Sequence, residues 1–372
     1  MMFLAAIAVF SLCSFQANAS DSQKSTETSA HESPLFVICE DGVYGFINAA
    51  GEVVINPQFD FAWDFSEGLA CVRIGDPETG KYGYIDNACH YVINPQFDSA
   101  WPFSEGLALV RVENKWGYID TTGEFTITPQ FDGASSFSEG LALVWIGDPE
   151  TCVYGYVDAT GSYIINPQFD YARSFSEGLA CVRIGDWETG HCGYIDNTGQ
   201  YVINPQFDSA WPFTEGLARV KIGSKWGYID TTGEYIINPQ FYFAWDFHEG
   251  LARVSNGDWV TGKWGYIDTA GEYVIYPQFD YAWDFHEGLA LVRIGDVETG
   301  VYGYIDAMGR YVINPQFDYA WSFSEGLAVV SIGDWETGKW GYIDTTGEYI
   351  WGPADWTCFP ELLRFFERFT GL

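Results

Sequence analysis

The chain has 372 residues, 51 acidic against 17 basic side chains, a formal charge of −34 and 18% aromatic residues. Nucleic acids and anionic lipid surfaces are held by Lys and Arg, so this surplus of carboxylates excludes both as bulk partners. Apolar mass is too high for a disordered chain, and no stretch reaches the roughly 18 consecutive apolar residues of a membrane span, so no stable membrane insertion is expected.

In chain order, an apolar run over residues 3–10 precedes Ala17-Asn18-Ala19, the small-residue pattern of a signal-peptidase site. Residues 1–19 are therefore expected to be a signal peptide, with the protein exported to the periplasm, the cell surface or the medium. Residues 20–33 are polar and read as a flexible leader.

A repeat then occupies residues 34–355. Pro-Gln-Phe recurs at Pro57, Pro95, Pro129, Pro167, Pro205, Pro239, Pro277 and Pro315, with Pro353 as a degraded ninth, in steps of 38 or 34 residues. Periods of this size mean solenoids, propellers or arrays. Each unit reads as three short antiparallel strands. In Leu217-Ala218-Arg219-Val220-Lys221-Ile222, strict alternation puts Ala218, Val220 and Ile222 on a buried face and Arg219 and Lys221 on the other. A tight turn at Gly223-Ser224-Lys225 leads into Trp226-Gly227-Tyr228-Ile229-Asp230, and the third strand, Tyr235-Ile236-Ile237, is expected to end at Asn238-Pro239. The segment from Ala244 to Gly250 is expected to turn the chain back. The 34-residue steps arise where the first hairpin tip is short, as at Glu113-Asn114-Lys115; longer copies carry Gly75-Asp76-Pro77-Glu78-Thr79-Gly80.

Lys115-Trp116-Gly117-Tyr118-Ile119-Asp120 and its counterparts beginning at Lys225, Lys263 and Lys339, together with the Pro-Gln-Phe-Asp and Phe-Ser-Glu-Gly-Leu-Ala segments, resemble the bacterial WG-repeat family over about residues 35–363. Tyr82, Tyr154, Tyr302 and Cys192 depart from the tryptophan of that motif. The resemblance implies repeated β-rich units, often in exported or surface proteins, with no common catalytic activity, no agreed ligand and no catalytic residues to carry over.

Propeller blades usually have four strands and number about four to eight, so nine three-stranded units favour an open β-solenoid-like superhelix; a closed β-propeller-like ring is the alternative. Residues 356–372 break the repeat. Leu362, Phe365, Phe366 and Phe369 fall on one side at helical spacing and predict a short C-terminal capping helix.

Eight copies of Glu-Gly-Leu, from Glu67 to Glu325, invite comparison with glycosidase carboxylates. Acid–base catalysis needs an asymmetric pair, whereas a carboxylate in every unit suits the backbone N–H groups of a turn. His248 and His286, one unit apart, supply two imidazoles without a third ligand. Each Gly-Asp-x-Glu-Thr-Gly tip supplies two carboxylates where calcium takes about six to eight oxygens. Cys39, Cys71, Cys89, Cys152, Cys181, Cys192 and Cys358 match neither zinc nor Cys-x-x-Cys redox spacing. No enzyme, metal or cofactor is expected.

The binding candidates are aromatic. Trp63, Trp101, Trp211, Trp245, Trp283 and Trp321 share one repeat position, which tolerates Ser135 and Arg173 and so reads as partly exposed. Trp187, Trp259 and Trp335 sit at long hairpin tips and are the first candidates for contact residues. The expected function is a non-enzymatic scaffold that binds a protein or peptide through an acidic, aromatic-rich surface; binding of a cell-wall or extracellular glycan on the tryptophans is the alternative.

Overall fold

The computed structural model describes residues 34–148, 151–258, 261–296, 298–334 and 338–355. Nine small antiparallel sheets follow one another along the chain, each connected in simple sequence order. The second sheet shows the plan: Phe61–Ser66, Leu69–Ile74, Lys81–Ile85 and Tyr91–Phe97 run from the innermost to the outermost strand. The first sheet has three strands, Leu35–Glu40, Val43–Asn48 and Val53–Phe59, and the other eight have four.

The open array is overturned by contacts between the ends. The Tyr342 hydroxyl in the ninth sheet donates to the Val37 carbonyl in the first at 2.8 Å. Phe36 packs on Tyr342 at 5.7 Å, and Phe36, Ile38, Leu327, Trp340 and Tyr342 share one buried cluster. The chain is a closed nine-bladed β-propeller. Closure gives both terminal sheets a neighbour and leaves no greasy end face to cap. No helix occurs among the described residues; the expected helix over residues 361–369 lies outside them.

Strand count was misjudged because the innermost strand is short. The segment expected to turn the chain back is that strand: Tyr281 pairs with Arg293, Ala282 with Val292 and Phe285 with Ala290. In the seventh blade it shrinks to Phe243–Ala244 plus an isolated bridge from His248 to Leu251. Its connection to the second strand is a two-residue turn with positive φ at both Glu249 (52°) and Gly250 (76°), the twist that favours tight hairpins.

The blades pack face to face, and the core lies between them. One cluster joins Leu141, Tyr156, Ile165 and Phe169 of the fourth blade to Phe175, Ala180 and Val182 of the fifth. Tyr156 meets Phe175 edge-on at 4.8 Å, and its hydroxyl donates to the Arg173 carbonyl at 2.6 Å. Equivalent bonds run from Tyr84 to Trp101, Tyr194 to Trp211 and Tyr228 to Trp245, so one side chain joins successive blades around the ring. Because both faces of each inner sheet are covered, the expected alternation fails: Arg219 is buried with Ala218 and Val220, and Ile222 at the strand end is exposed.

The glycine of the Trp-Gly signature has a steric cause. A Cβ on Gly117 would lie 2.5 Å from the Ile127 carbonyl oxygen and 2.6 Å from the Pro129 nitrogen, where the outermost strand bulges against it. That bulge also explains why the outermost strands run through their prolines, as in Tyr235–Phe241, instead of ending there. Proline lacks the ladder donor, which an edge strand can forgo.

Candidate functional site

The innermost strands surround the axis, and the repeat position shared by Trp63, Trp101, Ser135, Arg173, Trp211, Trp245, Trp283 and Trp321 faces it. A cavity of about 990 Å³ is lined from Glu67 of the second blade, through Trp101, Ser135, Arg173 and Trp211, to Trp245 and His248 of the seventh. Only the central channel brings those blades onto one space.

All six tryptophans of this position are half-buried. Trp63 and Trp101 stack at 5.8 Å with planes 20° apart, and Trp283 meets Tyr281 edge-on at 4.4 Å. Trp211 lies between two guanidinium groups, with the Arg173 Cζ 3.6 Å and the Arg219 Cζ 4.0 Å from its ring centre. Two guanidinium groups that close to one centroid cannot share a face, so both faces of the indole are covered. Arg253 stands 4.5 Å over Trp245. Of the tip tryptophans, Trp187 is 72% exposed and leans on Tyr171 at 5.1 Å and Arg183 at 5.1 Å; Trp259 and Trp335 lie outside the described residues.

The arginines are the feature that sequence reasoning missed. Arg219 and Arg253 occupy the repeat position held elsewhere by Cys71, Leu109, Leu143, Cys181 and Leu291, and each reaches into the next blade. Arg219 pairs with Asp246 and Arg253 with Asp284, each Nε to Oδ1 at 2.9 Å, and their Nη1 groups donate to the Ala244 and Ala282 carbonyls. The legible signal was joint: a cation replaces Leu or Cys in one unit, and Asp appears in the Trp-Asp-Phe segment of the next.

Every glutamate from Glu67 to Glu287 in the Glu-Gly-Leu copies bonds the next blade's turn. Glu105 accepts from the Glu139 and Gly140 N–H groups at 2.7 and 2.8 Å, Glu215 from Glu249 and Gly250, and Glu67, Glu139, Glu177, Glu249 and Glu287 from the corresponding glycine. These exposed carboxylates ring one mouth of the channel. The serine before each of several of them bridges blades as well: the hydroxyls of Ser66, Ser104, Ser138 and Ser176 donate to the next blade's Phe carbonyl.

His248 and His286 replace that serine, with ring centres 5.5 Å apart, and His248 Nε2 stands 3.9 Å from Asp284 Oδ2. Burial, and then the His248 charge, hold the His286 imidazole below its ordinary value. Among the described residues no group of three or more His, Cys, Asp or Glu side chains is placed to hold a metal ion. The hairpin tips use their own carboxylates: Asp76 Oδ1 accepts from the Glu78 and Thr79 N–H groups at 2.9 Å each. Cys39 is disulfide-bonded, and Cys71, Cys89, Cys152, Cys181 and Cys192 are in no disulfide. Cys192 is held down to about 6 by the Cys181 thiol and the Arg183 guanidinium, but it is buried.

A ring of nine blades around an aromatic and arginine-lined channel places the molecule among β-propeller repeat proteins. The WG containing repeat matches residues 44–76, 82–116, 116–148, 154–186, 193–226, 226–258, 264–297 and 302–334, and the chain belongs to that family. No curated protein matches it. Among solved structures it is similar to a eukaryotic initiation factor at 11% identity and a TM-score of 0.61, covering 86% of this chain and 94% of the other, a likeness of fold alone. AztD of Citrobacter koseri (14% identity, 74% and 92% covered) and the β-propeller domain of the Trilobed protease from Pyrococcus furiosus (9%, 80% and 100%) align with TM-scores of 0.42.

Proposed function

We propose that the protein is a non-enzymatic binding scaffold that holds a peptide segment of a partner protein in its central channel. The observation that carries this is the composition of the cavity wall. Trp101, Trp211 and Trp245 form rigid aromatic sides, and the hydroxyls of Ser135, Ser136, Ser174 and Thr214 supply adaptable hydrogen bonds between them. The glycan alternative needs free indole faces for sugar rings, and Trp211 has both covered. An enzymatic role needs an uncommitted acid or base, and the repeated glutamates are bonded to neighbouring turns.

Replacing Ser135 by Trp, the residue of most other copies, would close the gap in the cavity wall without a new kind of contact. A peptide array should bind the native protein and not the Ser135→Trp variant. Equal binding to both, or tryptophan quenching by soluble oligosaccharides with no peptide bound, would overturn the proposal. We further propose export, with the mature chain starting at Ser20; N-terminal sequencing of protein recovered outside the cytoplasm checks it.

A further inference from the structure

The channel wall breaks its own pattern at two neighbouring blades. Ser135 removes an indole from the tryptophan ring, and Arg173 puts a cation beside the gap. Ser174 follows Arg173, and its hydroxyl lies 3.2 Å from that of Ser135. Arg173 makes no ion pair among the described residues, and its buried Nε has no hydrogen-bond partner. Its guanidinium lies over the Trp211 ring, Cζ 3.6 Å from the centre, with Tyr171 at 5.4 Å, so the aromatic contacts place it while its N–H groups make no hydrogen bond among the described residues. Arg219 and Arg253 in the same wall each have a carboxylate and a carbonyl. A half-buried guanidinium left without an anion in a chain of charge −34 lacks the partner that a planar five-donor fork accepts best.

We infer that the Ser135–Arg173 gap binds a carboxylate of the ligand, specifically the C-terminal carboxylate of a cationic peptide. Resting on the channel-binding proposal, this adds the ligand's polarity. The mouth of the same cavity carries the exposed Glu67 and Glu105, part of the carboxylate ring, so the body of an entering peptide meets negative charge and its tip meets Arg173. A polyanionic peptide is repelled before it arrives, and a neutral one gains at only one end. A cationic segment ending in a free carboxylate satisfies both.

Fluorescence anisotropy on the full chain tests this, with a labelled tetralysine peptide bearing a free C-terminus against its C-terminal amide. The free acid should bind at least about tenfold tighter, the size of one charge-assisted hydrogen-bonded contact. Arg173→Trp restores the commoner repeat residue and should reduce the acid to the affinity of the amide, while Arg173→Lys retains part of the difference. Circular dichroism confirms that each variant is folded. If acid and amide bind equally and Ser135→Trp abolishes both, the channel binds peptide and the carboxylate site is wrong. If neither peptide binds, or Ser135→Trp leaves binding unchanged, the channel proposal fails and the carboxylate site fails with it.

Discussion

On the wall formed by the sixth to eighth blades, Arg219 and Arg253 are locked to Asp246 and Asp284 across blade junctions; on the fourth and fifth, Arg173 lies in the same channel and makes no ion pair among the described residues. The two sides use one residue type under opposite constraints. Arg253 is 0% exposed, so its charge requires a built-in carboxylate, whereas Arg173 is half-buried and leans on an indole. The two roles go with two repeat positions, Arg219 and Arg253 standing where Leu291 does and Arg173 where the tryptophans do, and an Asp in the next blade completes the locked one.

The largest expected effect breaks the locked side. Asp284→Ala leaves Arg253 buried and without its carboxylate and should cost about 3–5 kcal/mol in urea denaturation, because an uncompensated buried charge loses far more than its share of a pair. Adding Arg253→Leu, the residue at Leu291, should restore much of that loss. A loss below about 1 kcal/mol for the single variant would erase the contrast between the two walls.

The next effect concerns the seam. Tyr342→Phe removes the hydroxyl that joins the ninth blade to the first and should cost about 1 kcal/mol by the same measurement, no less than Tyr228→Phe at an internal junction. A neutral Tyr342→Phe beside a destabilising Tyr228→Phe would mean that the seam does not hold the ring. Arg173→Met should change stability by no more than about 0.5 kcal/mol, since it removes no ion pair; a loss comparable to that of Asp284→Ala would make Arg173 structural.

The smallest effect is a slope. His286 faces His248, Asp284, Glu249 and Arg253, and its folded value lies below 6.5. The unfolded chain therefore binds the proton more tightly, and the stability conferred by the neutral ring is present above about pH 6.5 and lost as pH falls below it. Thermal midpoints between pH 7.5 and 5.5 should decline more steeply for the native protein than for His286→Ser. Parallel slopes would show that the His pair does not couple to folding.

Much of this molecule could be read from its residues. The nine-fold period and the hairpin with a tip of variable length follow from local chemistry, and the repeated glutamates bond turn N–H groups as expected, though in the next blade's turn. Even an exception was legible in principle: Gly133 stands where other copies carry Phe, Tyr or Ser, because a Cβ there would strike the Trp145 ring at 1.8 Å. Arg219 was misread because alternation reports only whether one face of a strand is apolar. It is silent on what covers the other face, and a neighbouring blade with a matching Asp can bury a cation.

Period, turn chemistry and aromatic pattern specify the blade, since each depends on residues a few positions apart. Whether nine blades spiral open or meet is a sum of small twists between sheets, and no single residue encodes that sum. The ring depends on Tyr342 reaching Val37 across the whole chain. Closure in turn brings six blades around one cavity and sets Arg173 beside the space that Ser135 leaves. Short-range sterics and burial act along the chain and are written in it; a seam and a channel exist only once distant surfaces touch.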